Sequence, residues 1–131
     1  MTDYSNTGSS DIAKEETGSL IAASKVEGTN VYDRQGQSLG SVHDVMIDKR
    51  SGEVAYAVMS FGGFLGIGQS YHPLPWDVLD YDEAQGGYVV DLDEERLTNA
   101  PHYDDTNTPN WSSPEFGRRI DEYYGVTRSE L

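Results

Sequence analysis

The 131-residue chain contains no cysteine. Disulfides, a thiolate nucleophile and a cysteine-based zinc site are therefore excluded. The same absence suits a reducing compartment, so a cytoplasmic location is expected. Basic residues are scarce: 9 Lys and Arg stand against 23 Asp and Glu, for a formal net charge of −14. That field repels a phosphate backbone and an anionic membrane surface alike, so neither is expected as a partner. Long apolar runs are missing too, and none approaches the roughly 20 residues of a membrane helix. Direct membrane insertion is not expected. Met1 to Ser19 is polar and lacks the apolar stretch of a signal peptide. No HExxH, P-loop or dinucleotide fingerprint occurs. The hydrophobic fraction of 36% is low for a fully packed chain. It becomes ordinary if the ends are extensions and the core lies between them.

What is present is organised around Glu53 to Leu79, EVAYAVMSFGGFLGIGQSYHPLPWDVL. Alternation puts Val54, Tyr56 and Val58 on one face, and Ala55, Ala57, Met59 and Phe61 on the other. Two apolar faces with β-branched and aromatic content predict a strand buried on both sides. Gly62 and Gly63 end it, and Phe64-Leu65-Gly66-Ile67-Gly68 interleaves large apolar residues with glycine. This loop reads either as a barrel corner or as an apolar tip that docks on a partner. Pro73 and Pro75 hold His72 and Leu74 extended, giving a stiff crossing that directs Trp76 and Leu79 to the core.

The flanks follow from simpler signals. Residues 1–18 are too polar to offset their ordering entropy and read as a flexible tail. Ser19 to Ser24, SLIAAS, and Thr29 to Tyr32 read as short strands, with a turn at Asp33 to Gly36. Ser38 to Asp48 reads as a long strand bent at Gly40, with His43, Val45 and Ile47 on one face. Asp48 to Gly52 is a hairpin turn into the central strand. Tyr88 to Leu92 reads as the last strand, and Asp93 as the N-cap of a helical turn. Residues 101–131 form an extension that is irregular to Ser112. Ser113, Pro114 and Glu115 then open a helix over about 114–124, ended by Gly125. Phe116, Ile120, Tyr123 and Tyr124 make one apolar stripe on it.

The run GSVHDVMIDKRSGEVAYAVMSFGGFLGIGQSYHPLPWDVLDYD, followed by GGYVVDLDEERLTNAP, resembles the PRC-barrel family. The resemblance covers roughly residues 19–100. Trp111…Tyr124-Gly125 also looks like an extension seen in free-standing bacterial members. The fold it implies is mainly β: a small, highly curved β-barrel with a short C-terminal helix. The family is named for the cytoplasmic part of the photosynthetic reaction centre H subunit, and it also ends a ribosome maturation factor. Its members act as assembly and interaction modules, not as catalysts. No residue-by-residue match carries a proton-relay site over, and neither the photosynthetic nor the ribosomal role is expected to transfer.

The residues support the same non-enzymatic expectation. His72 lies beside Ser70, but nothing places Ser70 on a nucleophile turn or supplies an oxyanion hole. Asp44 with Asp48 lacks the calcium-loop pattern, and His102 with Asp104 and Asp105 reads as a solvated polar loop rather than a metal site. No catalytic residue, metal or cofactor is expected. The leading expectation is an interaction module that self-associates as a homodimer, through Phe64, Leu65 and Ile67 and through Phe116, Ile120, Tyr123 and Tyr124. The alternative is a small-ligand or ion-binding barrel, with Tyr71, His72 and Trp76 lining a pocket near the glycine loop.

Overall fold

The computed structural model describes residues 20–62 and 69–127. The proposed flexible tail, and Phe64, Leu65 and Ile67 of the glycine loop, lie outside the described residues. The elements run α1 (Ala23–Val26), β1 (Asn30–Tyr32), β2 (Ser38–Ile47), β3 (Val54–Phe61) and β4 (Ser70–Pro75). A 3-10 turn (Trp76–Val78), β5 (Asp80–Asp82), β6 (Gly87–Val89), α2 (Glu94–Thr98) and α3 (Pro114–Tyr124) follow. Among the described residues no helix is long and apolar enough to cross a membrane.

The six strands form one sheet in the order β4-β3-β2-β1-β6-β5. Neighbours are antiparallel except β1 and β6, which are parallel. The two ends, β4 and β5, are joined by the short 3-10 turn alone, so the sheet curls until its ends approach. No ladder joins them, and the mainly β barrel is left open along that line.

The concave side holds the core. Met59 and Leu74 are completely buried there with Val31, Val90 and Leu97, and Ala57, Leu39 and Val42 join them. In the β3–β4 ladder Met59 faces His72 and Ala57 faces Leu74, which share this inner face. Tyr56, Val58, Ser60 and Tyr71 take the outer one. Val58 is almost wholly buried, so β3 is covered on both faces.

Strand β2 departs from simple alternation. Val42 opposes Met59, while Asp44 opposes Val58, so His43 is an extra residue. Such a bulge resets the pleat by one. Val42 and Val45 therefore both face inward and His43 and Asp44 are exposed, where unbroken alternation would have grouped His43 with Val45. A second irregularity lies at Gly40, as its glycine suggests: Gly40 opposes Val31 and Ser38 opposes Tyr32, skipping Leu39. A Cβ on Gly40 would overlap the carbonyl oxygen of Ser60.

The expected strand at Ser19–Ser24 is not formed. Ile21 is a lone bridge residue, and Ala23–Val26 makes one helical turn. The Val26 and Glu27 N–H groups donate to Ala22 and Ala23 at 3.1 and 3.2 Å. Alanine favours this turn, and Val26 alone anchors it in the core. Gly28, with φ of 89°, then redirects the chain so that its N–H reaches the Val42 carbonyl at 2.7 Å.

The extension is attached to its own sheet. Tyr71 and Tyr103 exchange N–H···O bonds of 2.8 and 3.0 Å across the free edge of β4. The Tyr71 N–H thus points away from β3. By the pleat, positions 73 and 75 point the same way, and both are prolines with no N–H to offer. Helix α3 packs over β4, with Ile120 completely buried. Pro114 occupies its first turn, and Gly125 ends it at φ of 72°. Ser113 is the N-cap residue, although its side chain makes no capping bond.

Candidate functional site

His72 sits on the inner face of β4 and is 1% exposed. Its ring stacks on His102 at 5.0 Å and meets the Phe61 ring edge-on at 5.2 Å. Burial, reinforced by the neighbouring His102, pulls its pKa down to about 4. The ring is therefore neutral at pH 7. Its Nε2 lies 2.9 Å from Ser70 Oγ, and that hydroxyl donates to the Phe61 carbonyl at 3.3 Å. With the Ser70 proton on Phe61, Nε2 is the donor and Nδ1 carries the lone pair. Nδ1 has no hydrogen-bond partner. A Ser–His contact therefore exists, but among the described residues no carboxylate meets Nδ1 to orient the ring.

The three residues expected to line one pocket diverge. Tyr71, on the outer face, lies 4.6 Å from the His43 ring and 5.4 Å from Tyr103. His72 points inward. Trp76 is half-buried against the core and meets Tyr88 edge-on at 5.5 Å. Among the described residues no three His, Asp or Glu side chains converge as a metal would require.

The apolar stripe of α3 packs in cis. Ile120 is buried, Tyr124 leans on the core, and Phe116 meets Trp111 edge-on at 5.1 Å. Tyr123 donates its hydroxyl to the Arg96 carbonyl at 2.6 Å, and Arg96 Nη2 donates to the Tyr123 carbonyl at 2.7 Å. The guanidinium also lies 4.7 Å from the centre of the Tyr123 ring. This reciprocal clamp fixes the end of α3 to α2. The Tyr124 hydroxyl is buried without a partner, and burial raises its pKa. Of the two apolar features expected to pair between chains, the stripe is thus already used within one.

A site that sequence reasoning missed lies where α3 crosses the outer face of β3. A groove of about 810 Å³ runs there, with Tyr56 and Trp111 among its walls and Asp48 and Glu122 at its margins. The two aromatic rings are 5.9 Å apart, tilted by 44°. Tyr56 donates its hydroxyl to Asp121 Oδ1 at 3.2 Å, and Asp121 is buried. Gly117 lets the helix approach, since a Cβ there would stand 3.2 Å from the Tyr56 hydroxyl. The advance signals were Tyr56, a polar-tipped ring in a largely apolar strand, and Trp111 in the extension. The partners of Tyr56 lie more than fifty positions away, beyond any local pattern.

Comparison with known proteins bears on fold and family. Residues 19–97 match the family model for the PRC-barrel domain. No curated protein matches. Among solved structures, RimM of Pseudomonas aeruginosa, described as a 16S ribosomal RNA processing protein, is similar at 25% identity over 61% of this chain, with a TM-score of 0.39. The chain spans 48% of that structure. The family match takes in more than half of the sequence and the whole curved sheet, and the chain belongs to the PRC-barrel domain family.

Proposed function

We propose that this protein is a non-enzymatic, cytoplasmic interaction or assembly module that binds a protein partner through the groove between α3 and β3. The groove is the observation that carries the reading. It is concave, walled by Tyr56 and Trp111, and formed where the C-terminal extension crosses the sheet. Aromatic walls in a concave site are the usual anchors of protein recognition. His72 supports the same reading, since it is 1% exposed and among the described residues no carboxylate meets its Nδ1.

With the α3 stripe folded on its own barrel, a different protein is a better-supported partner than a second copy. Self-association would rest on Phe64, Leu65 and Ile67 alone. The ligand-binding alternative draws no support from Tyr71, His72 and Trp76, whose side chains diverge.

The test is recovery of partners by the tagged full chain from its own cells. Wild type is compared with a variant carrying Ser112→Arg and Glu122→Arg, both exposed positions on the groove. A protein retained by wild type and lost by the variant is expected. An unchanged set of partners would overturn the groove, and any turnover abolished by His72→Gln would overturn the non-enzymatic reading.

A further inference from the structure

The groove's shape and charge narrow its occupant; this inference rests on the interaction-module reading above. At about 810 Å³ the open groove has room for an extended segment of a few residues. The walls favour a particular kind of extended segment. Tyr56, Trp111 and Pro114 present rigid ring surfaces, against which a polyproline-type chain packs with little further loss of entropy. Ile47 continues the apolar surface: it is exposed, and it pairs with Val54 on the outer face of the sheet.

Among the described lining residues acidic side chains outnumber basic ones. Glu122 is exposed, and Asp48 is kept ionised by N–H bonds from Arg50 and Ser51 at 2.8 and 3.0 Å. Asp121 adds a third carboxylate beneath Tyr56. Among the described lining residues the basic side chain is Arg118, which lies 3.4 Å from the exposed Glu115. Lys49 and Arg50 lie on the hairpin tip, outside the lining. A partner segment that brings Lys or Arg alongside its prolines would meet these carboxylates, and the chain's −14 charge would draw it in from a distance.

We propose that the groove binds an extended, proline-containing segment of a partner protein that carries Arg or Lys beside its prolines.

The experiment titrates the ¹⁵N-labelled full chain with three synthetic nonapeptides, built of Pro-Pro-Arg, Pro-Pro-Glu and Gly-Ser-Arg repeats. The Pro-Pro-Arg peptide is expected to shift the Trp111 indole and the Gly117 and Glu122 amides. It should bind at least fivefold more tightly than either other peptide. Glu122→Lys should weaken it at least threefold while leaving the remaining spectrum in place, and 0.5 M salt should weaken it further. Equal binding of the Pro-Pro-Glu peptide would overturn the charge argument, and equal binding of the Gly-Ser-Arg peptide the ring-packing argument. Groove shifts on simple dilution of the protein would put a second copy there and overturn the proposal. No shift with any peptide would also overturn it. Partner loss in the Ser112→Arg, Glu122→Arg variant would then still stand, so the two readings fail separately.

Discussion

β4 and β5 end the same sheet, yet they manage their free edges by opposite means. β4 is long and buried from Tyr71 to Pro75. Its outward backbone donors are reduced to the Tyr71 N–H, which Tyr103 takes, while prolines stand at the next two outward positions. β5 is three residues of Asp-Tyr-Asp, exposed at Asp80 and Tyr81. Shortness and charge discourage pairing there. Arg34 reaches this end with weak, exposed contacts of 3.8 Å to Asp80 and 3.7 Å to Asp91. The difference teaches where stability resides. The β4 end is packed on both faces, and the β5 end is kept soluble more than it is held.

The comparison breaks most directly at Leu74, which is completely buried on the inner face of β4. Leu74→Ala is expected to cost about 2–5 kcal/mol in urea unfolding. A loss under about 1 kcal/mol would remove β4 as the heavier end.

The next largest effect comes from pH. The folded pKa of His72 is about 4 and its unfolded value is near 6.5. Between these values the unfolded chain binds more protons, so stability rises with pH. The contribution is complete above about pH 6.5 and is lost as pH falls toward 4, up to about 3 kcal/mol in all. His72→Gln removes this titration. The stability gap between wild type and His72→Gln should therefore shrink on acidification from pH 7 to 4.5. A constant gap would show that the buried ring does not resist its proton.

Trp76 stands between the two ends and measures the junction. It is half-buried. Trp76→Ala is expected to cost about 1.5–3 kcal/mol, below the roughly 3–5 of a fully enclosed aromatic. A larger loss would mean that the turn, not β4, closes the core. The smallest effect belongs to β5. Tyr81 is 37% exposed and touches Tyr88 edge-on at 5.1 Å, so Tyr81→Ala should cost about 0.5–1.5 kcal/mol. A loss equal to that of Leu74→Ala would erase the contrast.

Local pattern carried the expectations that came true in the fold. The two apolar faces of β3, the proline-stiffened β4, the turns with left-handed Gly36 and Gly52, and α3 with its Pro114 start are all short-range signals. The failures have physical causes. One extra residue at His43 shifted the phase of β2, which no count of alternation reveals in advance. SLIAAS holds two alanines where the helical turn begins, and Val26 anchors that turn in the core. The stacking of His72 on His102 and the meeting of Tyr56 with Trp111 and Asp121 depend on where the extension returns. The groove was therefore invisible, although each of its residues was in view.

That return has a consequence for the chain as it is made. The outer face of β3 and β4 is complete by Pro75, but its cover begins at Pro114, about 39 residues later. At roughly 5–20 residues per second the ribosome needs about 2–8 s to supply it. For those seconds Val58 and the outer side of β4 face solvent on a nascent sheet, and until residue 103 is made the β4 edge also lacks Tyr103. The two prolines at that edge are already in place, and they deny a neighbouring nascent chain the backbone donors it would need to pair there. They protect the unfinished molecule as much as the finished one.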